Sequence, residues 1–491
     1  MLEFGPFRID CRTYVLTRDG ATVPLSPRLV QVLACLAEAR GALVTREQLL
    51  ERFWPDVIVA DNTLTRAVAD IRIALGDAPA APTYIQTLAR RGYRFVAPVA
   101  DAAAPRAAAH AGVVPVPDAM AGLEPFLAWE RGRAAIESLS VAALPSAAEA
   151  FSRAVAGAPH YAAGYAGLAN AHVFRFEATR VDNVPDVEAL SAAVAAATRA
   201  TELDPTLGEG WAALGHALAG AGQAERARAA LRQALALEPR NWRHHYRLAA
   251  CSWGEDRLRS VERAEALLPG FPWTQTLAAM VLIARQSFAF ARQAAERGAA
   301  APGTHRDGRL HPPNGLLWMR GLTSLASGAQ ADALDDFRAE AALSAAGTSV
   351  HARECSVIAH EALGFVHLAT GDVNAARVAF HAAAAASPGH GRALLGLAIA
   401  DGRRADAVSR VGPAVEEMGR VGKLGERTLV LAAAHGWAGR ASDGLALVAD
   451  ALAGASSDPL GWSLPADAMF APLRAADGYD RVAARLASRA S

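Results

Sequence analysis

Lysine is nearly absent from this 491-residue chain: of its 49 cationic residues only Lys423 is not arginine. The 49 acidic residues balance them to a formal net charge of zero. A neutral chain has no general attraction for polyanions, so any nucleic-acid contact must be local. Cysteine is scarce as well. Cys11, Cys35, Cys251 and Cys355 lie far apart with no C-x-x-C pair, which argues against a zinc site or disulfide framework and for a reducing, cytoplasmic setting. The first residues lack the basic and apolar regions of a secretory leader, and no run of about eighteen apolar residues occurs that could span a membrane. The patterns G-x-x-x-x-G-K-[ST], H-E-x-x-H and G-x-S-x-G are all missing, so no catalytic residue, metal ligand or cofactor is expected. His244-His245 are adjacent and cannot share a helix face, while Asp335-Asp336 and Glu416-Glu417 read as solvated helix faces.

What is present suits a folded protein of several domains: 52% of residues are hydrophobic and 20% charged, and a chain of this length exceeds one core. The neutral average hides a local asymmetry. Residues 1–100 hold twelve arginines against ten acids, and Ala78 to Ala100 contains three arginines and no acid.

The most informative stretch runs from Asp61 to Phe95. Leu64, Val68, Ile71 and Leu75 recur at i, i+4, i+7 and i+11, which predicts a helix over Asn62–Leu75 with one apolar stripe. Asn62, Thr65, Arg66, Ala69, Arg72 and Ile73 occupy the opposite face, the mixture a helix needs to read base edges in a major groove. A hairpin follows, with strands at Tyr84–Leu88 and Tyr93–Val96. Its tip, Ala89-Arg90-Arg91-Gly92, is placed to reach phosphates, with Gly92 free to adopt positive φ. Upstream, Phe4–Asp10, Thr13–Leu16 and Ala21–Leu25 read as three short strands. Ser26-Pro27 opens a helix that runs to about Ala39, and Thr45-Arg46-Glu47-Gln48 fits a capping box before a second helix stopped by Pro55. Trp54, Tyr93 and Phe95 read as core.

Leu25-Ser26-Pro27-Arg28, Val44-Thr45-Arg46-Glu47-Gln48-Leu49, Trp54-Pro55-Asp56, Asp61-Asn62-Thr63-Leu64, Ile71-Arg72-x-x-Leu75-Gly76-Asp77 and Arg91-Gly92-Tyr93-Arg94-Phe95 occur in the order of a known domain. On these motifs residues 1–98 resemble the winged-helix DNA-binding domain of OmpR/PhoB-type bacterial transcription regulators. The resemblance implies that the 62–75 helix docks in the major groove of double-stranded DNA, through Asn62, Thr65, Arg66 and Arg72. It implies a wing whose Arg90, Arg91 and Arg94 touch backbone and minor groove. It further implies that the loop Asp56, Val57, Ile58 and Val59 contacts RNA polymerase, and that a homodimer forms on DNA. For Arg72 a surface pair with Asp70 or Asp61 is an equal alternative. The winged helix begins at about residue 2, so no phosphorylatable receiver is expected before it.

Residues 99–122, rich in alanine and proline, read as a flexible linker. From 123 to 491 the chain is helical and repetitive. Trp211-x-x-Leu214-Gly215-x-x-Leu218, then Ala227, Leu231, Ala234 and Pro239, keep tetratricopeptide spacing, as do Leu363-Gly364-x-x-His367, Ala376, Phe380, Ala383 and Pro388. Pro205 to Pro239 is one 34-residue repeat, and the 46 residues from Pro159 to Pro205 carry a twelve-residue surplus near Arg180–Asp186. The similarity to tetratricopeptide repeats fades over 242–310 and 400–491. In Arg240–Arg247 two aromatics, Trp242 and Tyr246, stand at i, i+4 among arginines, which suits either an anionic or aromatic ligand or packing on the next repeat. The expected fold is therefore an α+β winged helix-turn-helix domain followed by an all-α tetratricopeptide-like solenoid. The expected function is a sequence-specific, cytoplasmic, non-enzymatic transcription regulator whose repeats receive a protein, peptide or small-molecule effector. The competing expectation is an interaction scaffold whose winged helix mediates protein contacts.

Overall fold

The computed structural model describes residues 2–10, 15–19, 21–23, 25, 27–53, 62–78, 82–88, 91–101, 124–300, 312–454 and 459–491. It divides into two units, residues 1–126 and 127–491.

In the first unit the strands are set by alternation. In Phe7-Arg8-Ile9 the phenylalanine and isoleucine are buried and the arginine is not. Strands β1 (Leu2–Phe4), β2 (Phe7–Asp10), β3 (Val15–Arg18) and β4 (Ala21–Thr22) form an antiparallel meander. The expected single strand Phe4–Asp10 is thus a correction: it folds back on itself, pairing Phe4 with Phe7 across a turn in which Gly5 takes φ +54°. Helix α1 (Pro27–Glu38), strand β5 (Leu43–Thr45), helix α2 (Arg46–Phe53) and helix α3 (Asn62–Leu75) follow. The capping box is present in reciprocal form, with Thr45 N–H donating to Gln48 Oε1 at 2.9 Å and Gln48 N–H to Thr45 Oγ1 at 3.1 Å. Strands β6 (Ile85–Leu88) and β7 (Gly92–Phe95) make the wing and join β5 in a second sheet of order β5-β7-β6. Strand β8 (Ala100–Asp101) returns to pair with β1, so the domain's sheet extends beyond residue 98 into the stretch expected to be linker.

One core holds both sheets and the helices together. Leu33, Leu36, Leu49, Leu64, Val68, Ile71 and Ile85 are buried, and Phe4 meets Phe95 edge-on at 4.9 Å, tying the meander to the wing.

The second unit is a run of helix pairs: α4 (Glu124–Glu137) with α5 (Leu144–Gly157), α6 (Ala162–Thr179) with α7 (Val187–Leu203), α8 (Gly208–Gly220) with α9 (Ala224–Leu237), α10 (Trp242–Ala250) with α11 (Gly254–Leu267), and α12 (Pro272–Ala284) with α13 (Phe288–Ala300). Then come α14 (Leu316–Ala326) with α15 (Gln330–Ala345), α16 (Ala352–Ala369) with α17 (Val373–Ala386), α18 (Gly391–Ala400) with α19 (Ala407–Arg420), and α20 (Leu424–Trp437) with α21 (Ala441–Gly454). Two further helices, α22 (Ala471–Arg474) and α23 (Tyr479–Ala490), complete the described part. No described helix is long and apolar enough to cross a membrane.

The repeat signature is steric. Phe380 is fully buried between Gly364 and Gly396, where a β-carbon on either glycine would overlap its ring. Ala227, Ala234, Ala376 and Ala383 are fully buried at the close approaches. Pairs also form where the signature fades. Helix α10 is only nine residues long. Its last carbonyls are met by Arg257, which is 1% exposed and donates to Ala249 O at 3.0 Å and Ala250 O at 3.1 Å. A side chain from the partner helix there does the work that a longer helix would do internally. Asp335 pairs with Arg338 on the surface, but Asp336 is buried against Arg320, which corrects the expectation of two solvated acids.

Candidate nucleic-acid interface

Helix α3 buries Leu64, Ala67, Val68, Ile71 and Leu75 and leaves Thr65, Ala69, Asp70 and Ile73 outside. At 100° per residue the centre of its outer face falls between Ala69 and Ile73, with Asn62 and Arg66 alongside. Their backbone lies in the helix; their side chains are outside the description, as are Arg90 and the loop residues Asp56, Val57, Ile58 and Val59. Ile73 is 79% exposed. An isoleucine offered to water on a helix face otherwise polar or small suits apolar contact with a thymine methyl group.

The wing is held at a fixed angle to this helix by a buried carboxylate. Asp77, just past the end of α3, accepts backbone N–H bonds from Thr83 at 2.6 Å, Tyr84 at 3.2 Å and Ile85 at 2.8 Å. The wing register pairs Leu88 with Gly92, and Arg91 N–H donates to Leu88 O at 3.0 Å at the turn. Gly92 has φ +151°, and a β-carbon there would overlap the Val44 carbonyl oxygen, so glycine is required by the close approach of β5 as much as by the turn. Arg91 is exposed at the tip and Arg94 is half-buried on β7; among the described residues neither is paired with a carboxylate.

Residues 20–95 match the family described as "Transcriptional regulatory protein, C terminal". The N-terminal domain is of the OmpR/PhoB DNA-binding type. Over 100 residues the chain is 32% identical to the transcriptional activator CadC of Escherichia coli, which is 20% of this chain and 20% of that protein. Over 98 residues it is 34% identical to the transcriptional regulatory protein KdpE of Mycobacterium tuberculosis, 20% of this chain and 43% of the relative. The match therefore spans a fifth of one relative and under half of the other. Among solved structures, the DNA-binding domain of E. coli CadC covers 20% of this chain and 94% of its own, at 27% identity and a TM-score of 0.19. The APC/C hetero-tetramer Cut9-Hcn1 covers 64% of this chain and 56% of its own, at 12% identity and a TM-score of 0.42.

Within the OmpR/PhoB-type domain, one expected contact residue is turned inward. Arg72 is 9% exposed; its Nη2 donates to Ile85 O at 2.7 Å and Thr87 Oγ1 at 2.8 Å, and its Nε lies 4.0 Å from Asp77. Asp61 lies outside the described residues; among these the carboxylate neighbour of Arg72 is Asp77 and not Asp70. The reason is angular: Arg72 sits about 80° from Leu64 around the helix, on the flank. The wing's carbonyl and the Asp77 carboxylate draw its head inside. Conversely, nothing in the sequence pattern marks Arg46 as a contact residue. From the start of α2 its Nη1 makes long contacts, 3.4 Å each, with Thr65 Oγ1 on α3 and Tyr93 Oη on the wing. Its position in a capping box disguised it, because that pattern speaks only of backbone.

In the repeat unit, Trp242 and Tyr246 pack on Phe271 of the next repeat, with ring centroids 4.6 and 5.1 Å away. His244 is buried against Glu238 at 3.1 Å and His245 bonds the Pro239 carbonyl at 2.9 Å, so the two histidines point to different partners. Both aromatics also line a partly open cavity of ≈ 1200 Å³ among the repeats.

Proposed function

We propose that this chain is a sequence-specific transcription regulator: α3 reads base edges in a major groove, the wing holds the flanking backbone, and the helical repeats receive the signal. The observation that carries the reading is the bracing of α3 and the wing through Asp77 and Arg72, which makes one rigid two-part surface. Phosphate contacts from Arg90, Arg91 and Arg94 supply affinity and position, while Asn62, Thr65, Arg66 and the exposed Ile73 supply discrimination. The loop Asp56–Val59 is offered to RNA polymerase, and a pair of chains occupies two half-sites. The whole chain contributes no chemistry of its own; the repeats bind, and binding alters operator affinity or polymerase contact.

Selection of genomic fragments on the full-length protein, followed by gel shifts, tests this. The expected outcome is a discrete set of bound fragments, lost in the R66A/R90A/R91A variant. Failure to retain any fragment above random DNA sinks the reading and leaves the interaction scaffold.

A further inference from the structure

The repeats do not form an open spiral. The twelve-residue surplus between α6 and α7 crosses to distant repeats: Asp182 pairs with Arg353 at 2.5 Å, and Asn183 donates to Gly389 O at 2.5 Å. Lys423, the only lysine, donates to the carbonyls of Arg180 and Asp182 at 3.0 Å each. A second crossing pairs Val141 N–H with Thr348 O at 3.0 Å and Val350 N–H with Leu139 O at 2.9 Å. The cavity lies inside this closure, with walls drawn from helices as far apart as α4 and α20. At ≈ 1200 Å³ it is somewhat above the ~300–1,000 Å³ of pockets for small organic ligands.

The charge of the wall decides what class of ligand fits. Its five carboxylates each hold a cationic or imidazole partner: Glu137 with Arg133, Glu177 with His216, Glu209 with Arg247, Glu354 with Arg180, Glu426 with Lys423. The remaining cations of the wall are engaged too: Arg392 pairs with Asp467, Arg257 donates to the carbonyls of Ala249, Ser252 and Ala250, and Arg243 lies over the Trp242 ring, so an ionic ligand would have to compete with a partner the protein already supplies. Against this, three hydrogen-bonding groups on the wall have no hydrogen-bond partner among the described residues. The Tyr246 hydroxyl and the His351 imidazole make no hydrogen bond to a described residue, and Thr276 Oγ1 is buried and unsatisfied. Tyr246 and His351 belong to one neighbourhood. Phe271 touches Tyr246 at 5.1 Å and Trp273 at 5.5 Å, and Trp273 meets the His351 ring edge-on at 4.8 Å. Burial holds the phenol protonated and the imidazole neutral, against the pull of Glu177 in the latter case. Each group can then both donate and accept.

We infer that the cavity binds an uncharged, ring-containing small molecule bearing a hydroxyl or carbonyl group, its ring among the aromatics and its polar group on Tyr246 and His351. This rests on the reading of the repeats as the signal-receiving part and names the site and ligand class. Because the wall spans the crossing repeats, an occupant stabilises the closed form over any opened one.

The test uses the full chain and 2-naphthol as probe, followed by tryptophan fluorescence and calorimetry, beside the anionic 2-naphthoate and the cationic 2-naphthylmethylammonium. Expected are one naphthol site per chain with Kd on the order of 10–100 µM, and tenfold or weaker binding of both ions. Tyr246→Phe, which removes one oxygen and leaves packing intact, weakens naphthol about three- to tenfold, and so does His351→Gln. No saturable naphthol binding, tighter binding of either ion, or naphthol binding indifferent to both substitutions overturns the inference. Naphthol bound as expected without change in operator affinity leaves the site standing and counts instead against coupling of the repeats to DNA.

Discussion

Arg72→Met separates a brace from a phosphate contact. The substitution keeps an unbranched side chain of similar reach and removes the guanidinium. Two hydrogen bonds from a charged donor are lost, at 2.7 and 2.8 Å, and the Asp77 carboxylate, whose side chain is fully buried, loses its cation. Breaking a buried ion pair from one side costs roughly 3–5 kcal/mol. Asp77 keeps its three backbone donors and methionine fills the space, so the lower end, about 3 kcal/mol, is the expectation. At 1.4 kcal/mol per tenfold, that is an increase of about 100-fold in hydrogen exchange of the wing amides in Ile85–Leu88 and Gly92–Phe95. Binding of the full chain to random duplex DNA, measured over a range of salt, supplies the second readout. A residue that neutralises one phosphate contributes about 0.9 to the slope of log K against log salt. Arg72 is held inside by Ile85, Thr87 and Asp77, so the slope is expected to stay that of the parent. A slope reduced by about 0.9 with unchanged exchange would refute the assignment of Arg72 to the interior and restore it to the DNA face.

The exposed Arg91 should behave in the opposite way: Arg91→Ala lowers the salt slope by about 0.9 and leaves wing exchange unaltered, and an unchanged slope removes it from the interface. Asp182→Ala breaks the crossing to Arg353 and Ser387. Faster exchange in residues 178–187 and in 387–389 is expected without loss of helix content, and protection equal to the parent's would show that the crossing does not hold the repeats closed. The repeat unit should be most stable near neutral pH, for separable reasons. Burial lowers the affinity of His390 for its proton, but Glu361 and Glu426 outweigh this and raise its pKa from 6.5 to about 9, so its contribution is complete below pH 6.5 and fades as pH rises toward 9. His351 is shifted down by burial, so its contribution is present above pH 6.5 and fades below it. Burial favours protonation of Glu177, Glu209 and Glu426, yet their partners hold each at about 2, and their contribution is lost between pH 4.5 and 2. Thermal melts against pH check this: His390→Gln should flatten the alkaline limb and also weaken the share of the acid limb carried by Glu426, whose carboxyl His390 helps hold down, and a parent-like alkaline limb would remove His390 as its cause.

Much of the local structure is written in near neighbours along the chain. The stripe Leu64, Val68, Ile71 and Leu75 marks α3 because helical periodicity is a property of neighbours in sequence, and all four are buried. The capping box at Thr45–Gln48 and the wing tip before Gly92 are legible for the same reason. Gly364 and Phe380 announce their repeat because close helix approach restricts residue size at fixed offsets. What escaped was long-range or angular. Phe4–Asp10 reads as one strand until Phe4 pairs with Phe7. Arg72 lies on a helix flank from which its head can turn outward or inward, and only Asp77 and the wing decide between them. Arg46 is joined to Thr65 of α3 and Tyr93 of β7 only by the fold. The Arg180–Asp186 surplus is visible by counting prolines, but its closure onto Arg353, Gly389 and Lys423 joins residues up to 243 positions apart. Arg180, Val181 and Lys423 of that crossing also line the cavity. A sequence specifies local conformation through near neighbours; the direction a borderline arginine takes, and the void left inside a closed solenoid, are set by partners that only the folded chain brings near.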